Sequence, residues 1–90
     1  MIAEQSVQDR VKEIIVAQLG VNPDLVTLDA KFIEDLGSNA FATEELVRVF
    51  EKEFGEDIPK KDVDTLQTVG DVIKYIEYWQ GVTAREMMVA

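Results

Sequence analysis

The sequence predicts an all-α fold, a four-helix bundle of three longer helices plus one short third helix, with a long packed loop between helices 1 and 2. Three observations carry this. Apolar residues recur at helical spacing in stretches that open near Val7, Ala40 and Val69. Helix start and stop residues bound those stretches. Ninety residues make one small domain with room for a single apolar seam.

The first helix is expected over Ser6 to Leu19, where Val7, Val11, Ile14, Ile15 and Leu19 share a face and Gln8, Asp9, Lys12 and Glu13 point outward. Ser6 and Asp9 form a cap pair, and Gly20 is the natural stop. From Val21 to Asn39 the chain has no clean period. Asn22-Pro23-Asp24 is a turn, but Leu25, Val26, Phe32, Ile33 and Leu36 are too apolar for a solvated linker. The loop is therefore expected to pack over the bundle. The second helix is expected from Ala40, capped by Asn39, to Phe54 before Gly55, with Phe41, Leu46, Val47, Phe50 and Phe54 on one face. Ile58-Pro59 breaks the chain, because a residue before proline avoids helical geometry. The segment KKDVDTLQ has room for a short third helix with Val63 and Leu66 inward. Thr68 with Asp71 opens a last helix carrying Val69, Val72, Ile73, Ile76 and Trp79. Gly81 is expected to end it, which gives a bundle at residues 1–81 and a tail at 82–90.

Composition narrows the function. With no His and no Cys, the commonest general base, the thiol nucleophile and the soft metal ligands are missing, and the remaining groups show no catalytic spacing. An enzyme is not expected. Eighteen acidic against nine basic residues give a formal charge of -9. That field repels nucleic-acid phosphates and anionic lipid, and it steers basic protein surfaces inward; solubility alone is the plainer explanation. No apolar run approaches a membrane span, and MIAEQSVQDR lacks the features of a signal peptide, so the expected address is cytoplasmic. A small acidic bundle of this kind is most simply a monomer.

From Glu34 to Asp57 eight carboxylates face only Arg48 and Lys52. A solvated face accounts for them, as does partner docking beside the helix start. The clustered acids lack the spacing of a calcium loop, and no metal site is expected. The first turn of the second helix offers unpaired N-H groups to an anion, yet Ala40 there has no hydroxyl. Ser38 has one, but it precedes the cap and fits an ordinary turn. Trp79, with Tyr75 and Tyr78, reads as a lid over the end of the bundle.

The order and spacing of RVKEIIVAQLGV, FIEDLG, TEELV, FEKEFGEDIP and TVGDVIKYI resemble the acyl carrier proteins of fatty acid and polyketide synthesis, from about Val7 to Tyr78. The resemblance implies a bundle whose second helix docks on basic surfaces of acyl-chain synthesis enzymes and of phosphopantetheinyl transferase. It further implies a 4'-phosphopantetheine arm on the serine of an Asp-Ser-Leu motif. That motif falls on Asn39, Ala40 and Phe41, so the chain as written is expected to carry no arm. By the same resemblance Glu34, Asp35, Phe41, Glu44, Glu45, Arg48, Glu51 and Glu53 are partner-binding positions, with Arg48 and Lys52 departing from the usual pattern. Val47, Phe50, Ile58, Val63 and Leu66 fall on the acyl pocket, although plain core packing suits them equally. Two expectations stand side by side: an acyl carrier lacking only its serine, and a degenerate carrier-like module that binds partners without ever holding a prosthetic group.

Overall fold

The computed structural model describes the backbone of residues 6–89 and the side chains of residues 6–80. Helices α1 (Val7–Leu19), α2 (Ala40–Phe54), α3 (Lys60–Val63) and α4 (Val69–Val89) follow in order, with a 3-10 turn at Pro23–Leu25 inside the long loop. The fold is all-α, three longer helices and a short one. Its sole β feature among the described residues is an isolated bridge between Lys31 and Thr68.

Local chemistry sets the helix ends. The Ser6 hydroxyl accepts from the Asp9 N-H at 3.1 Å, and Asn39 Oδ1 accepts from the Ala42 N-H at 2.8 Å. Thr68 and Asp71 cap reciprocally: Thr68 Oγ1 accepts from the Asp71 N-H, and Asp71 Oδ2 from the Thr68 N-H, both at 3.1 Å. Gly20 and Gly55 terminate α1 and α2 in the left-handed conformation that glycine adopts without a Cβ penalty.

One apolar seam holds the elements together. Val11 and Ile15 of α1, Leu46, Val47 and Phe50 of α2, and Val69, Val72, Ile73 and Ile76 of α4 are buried in it. The loop contributes Val26, Ala30, Phe32 and Leu36. Its backbone is stitched to the start of α4 by bonds from Phe32 N-H to the Gln67 carbonyl, Val69 N-H to the Ala30 carbonyl and Gly70 N-H to the Leu28 carbonyl. A Cβ at Gly70 would lie 3.0 Å from the Leu28 oxygen, so the close approach of loop to helix depends on that glycine.

Three expectations need correction. Phe41 is 72% exposed rather than part of the buried face of α2. At about 100° per residue it points roughly 140° away from Leu46 and opposite Phe50, so its apolar character misplaces it. In the loop, Leu25 and Ile33 stay exposed while Val26 and Phe32 turn inward. Finally, α4 continues past Gly81 to Val89. Glycine stops a helix where the chain turns left-handed; inside a helix it costs about 1 kcal/mol, which a long helix absorbs. The side chains beyond residue 80, including those of the tail expected at 82–90, lie outside the described residues, as do residues 1–5.

Candidate functional site

A cleft of about 710 Å³ opens between α2, α3 and the loop. Ala40, the exposed first residue of α2, stands among its lining residues. Val47, Ile58, Val63 and Leu66 supply apolar wall, joined by Phe32 and Ile33 from the loop. Phe50 is not in the wall; at 1% exposure it belongs to the seam with Ile15 and Leu46. The cleft is thus partly roofed by α3, a helix of one turn.

The start of α2 is built firmly. Asn39 caps it, and Ser38 just before is 6% exposed, its N-H bonded to the Phe32 carbonyl at 2.8 Å. The Ser38 hydroxyl lies 2.8 Å from Thr43 Oγ1 and 3.3 Å from the Asn39 carbonyl. Its oxygen is therefore enclosed and occupied. The Ala40 side chain, by contrast, reaches solvent and offers only a methyl group.

Each carboxylate among the expected partner-binding positions has a partner within the chain. Glu34 pairs with Lys31 at 3.2 Å, Glu45 with Arg48 at 3.2 Å, and Glu44 with Lys60 at 3.5 Å, the last joining α2 to α3. Glu53 forms an ion pair with Arg10 of α1, whose guanidinium also lies over the Phe54 ring, 5.5 Å from its centre. Asp35 Oδ2 accepts from the Lys31 N-H and Glu51 Oε2 from the Ile58 N-H, both at 2.8 Å. Of the eight partner-binding positions expected from sequence, Glu34, Glu44, Arg48 and Glu51 line the cleft, while Asp35, Phe41, Glu45 and Glu53 lie outside it.

Lys31 and Lys60 are cleft residues that sequence reasoning did not single out, and Phe32 and Ile33 were expected only to pack the loop over the bundle. The placement of Lys31, Phe32 and Ile33 depends on the loop pairing with the start of α4, and Lys60 reaches Glu44 across sixteen positions, long-range contacts that leave no local pattern. Another such contact fixes α3 from behind: the Tyr75 hydroxyl donates to Asp62 Oδ2 at 2.7 Å. Burial, then the bond to Asp62 and its charge, push the Tyr75 phenol from 10.0 up to about 12. Tyr75 and Tyr78 meet Trp79 edge-on, with ring centres 6.3 and 5.8 Å away, and Trp79 keeps 39% exposure. Among the described residues no group of three carboxylates is placed to hold a metal, and no helix is long and apolar enough to cross a membrane.

The described chain is thus a small acidic helical bundle whose exposed helix start opens on an apolar cleft. The sequence profile of the phosphopantetheine attachment site family matches residues 9–76. An acyl carrier protein of Akkermansia muciniphila is 49% identical over 80 residues, covering 89% of this chain and all of that protein. The chain belongs to the phosphopantetheine-attachment family of acyl carrier proteins, whose members are carriers and not enzymes.

Proposed function

We propose that this chain is a carrier scaffold of acyl-chain synthesis that remains unmodified, because Ala40 stands where the family attaches its 4'-phosphopantetheine arm. The observation that carries the reading is the position of Ala40, exposed at the first turn of α2 and at the edge of the apolar cleft, with no oxygen to esterify. Ser38 does not substitute for it, since its hydroxyl is buried and already bonded. When attached to a family member, the arm supplies a thiol that holds acyl groups as thioesters. In this chain Val47, Ile58, Val63 and Leu66 would shelter an aliphatic chain, and α2 with its acids would meet basic surfaces of synthesis enzymes and of the transferase, in the cytoplasm.

A second reading, a carrier-like module that binds partners and never holds a group, draws support from the ion pairs that Arg48 and Lys60 place among the docking acids. Intact mass separates the two. After incubation with coenzyme A, magnesium and a broad-specificity phosphopantetheinyl transferase, the unaltered chain is expected to keep its mass and the Ala40→Ser form to gain one arm. If the Ala40→Ser form also keeps its mass, the module reading prevails. A gain on the unaltered chain would overturn both and direct attention to Ser38.

A further inference from the structure

We infer that the aromatic groove on α4, formed by Tyr75, Tyr78 and Trp79, is a docking site for an arginine side chain presented by a basic protein partner. The inference deepens the reading above by giving that partner a contact away from α2, and it rests on that reading for the class of partner alone.

A groove of about 470 Å³ lies between α4 and the segment that joins it to α3, lined by Leu66, Asp71, Lys74, Tyr75, Tyr78 and Trp79. No residue of α2 lines it. Successive helical residues are turned by about 100°, so Asp71, Tyr75 and Tyr78 fall within roughly 60° of one another, with Trp79 at their edge. One face of α4 therefore carries an acid and three rings. Tyr78 is 65% exposed and Trp79 39%, yet both rings are set in place. Tyr75 donates to Asp62 Oδ2, the Trp79 indole N-H bonds to the same phenol, and Tyr75 and Tyr78 each meet Trp79 edge-on. Rings already fixed lose little rotamer freedom when a partner covers them.

The charges around the groove favour a cation. Asp71 offsets Lys74 among the lining residues, and Glu77 stands three residues beyond Lys74 on the same helix. Asp62, bonded to Tyr75, and Glu56, whose charge also pushes that phenol upward, leave the balance negative. On α3, Lys60 is held by Glu44, and Lys61 is matched in the same segment by Asp64. Among the described residues Glu56, Asp62 and Asp71 form no ion pair, whereas Glu44, Glu45 and Glu53 of α2 are all matched by cations. The acids of the groove thus keep their full attraction for an incoming positive charge. Arginine suits the site better than lysine, because a planar guanidinium lies flat on an aromatic face and is less strongly hydrated than an ammonium. The chain holds one guanidinium in this way already: Arg10 lies over the Phe54 ring while paired with Glu53.

Trp79 is the single tryptophan of the chain, so its emission reports on the groove directly. The test titrates the unaltered chain at low salt with the peptide acetyl-Gly-Arg-Gly-Arg-Gly-amide and with its lysine and citrulline analogues. The arginine peptide is expected to give a saturable change, bound about fivefold more tightly than the lysine peptide, and the uncharged citrulline peptide to give none. Tyr78→Ala should weaken arginine binding about fivefold, while Glu44→Gln/Glu45→Gln on α2 should change it less than about twofold. Amide NMR of the unaltered chain needs no variant, and serves if Tyr78→Ala disturbs the fold: shifts should cluster on Leu66, Asp71, Tyr78 and Trp79. Equal binding of the arginine and lysine peptides, full affinity in a folded Tyr78→Ala chain, or shifts clustered on α2 overturns the inference. Loading of Ala40→Ser by the transferase with no arginine response at Trp79 overturns this inference and leaves the carrier reading intact. Arginine binding at the groove without loading of Ala40→Ser supports the inference on the module reading instead.

Discussion

The two ends of α2 are built for different tasks. Its C-terminal half is anchored: Leu46, Val47 and Phe50 enter the seam, Glu53 reaches Arg10 on α1, and Glu51 holds the backbone of Ile58. Its N-terminal turn touches little of the seam, and Ala40 and Phe41 face solvent beside an open cleft. A helix fixed at one end and presented at the other can be remodelled at the presented end with little cost to the fold. Position 40 lies at the presented end, with cap and cleft intact around it.

The largest expected contrast comes from two phenylalanines nine residues apart. Phe50→Ala is expected to cost about 3–5 kcal/mol, because a fully buried ring leaves a cavity, while Phe41→Ala should stay within about 0.5 kcal/mol. Urea melts of both variants check this, and comparable losses would erase the distinction between the ends. A smaller effect is expected at the junction: Asn39→Ala removes the bond to the Ala42 N-H and should cost about 1 kcal/mol. If thermal melts show no loss, the start of α2 is not held by its cap.

The third probe addresses the wall opposite α2. Tyr75 is raised from 10.0 to about 12 in the folded chain, so its contribution is fully present below pH 10 and fades as the pH climbs toward 12, where the unfolded chain ionises first. Tyr75→Phe should remove that alkaline loss and cost about 0.5–1.5 kcal/mol at neutral pH, since the bond tying α4 to α3 is gone. Stability measured from pH 8 to 12 in both proteins checks the sign. An unchanged alkaline slope would mean that another group controls it.

How much of this was legible in sequence follows the same division. Helix ends declared themselves, because Ser6, Asn39 and Thr68 act on N-H groups three residues away and Gly20 and Gly55 act where they stand. The buried residues of α1 and α4 were equally plain from their period. The cleft was not. Lys31 and Ile33 border it through loop pairing with Gln67 and Val69, Lys60 reaches Glu44 across sixteen positions, and Asp62 reaches Tyr75 across thirteen. Local patterns carry no trace of such distances. Phe41 misled for a related reason, since an apolar side chain suggests burial unless its angle around the helix is worked out.

The presented end of α2 opens onto a cleft whose wall shares Phe32 and Val47 with the seam, while Val11, Ile15 and Val72 are no part of that wall. Methyl NMR of the Ala40→Ser form, before and after loading with an acyl-bearing arm, tests this most directly. Val47, Ile58, Val63 and Leu66 are expected to shift on loading, with Val11, Ile15 and Val72 unmoved. Shifts confined to Val11, Ile15 and Val72, or none in the cleft residues of a loaded protein, would contradict it.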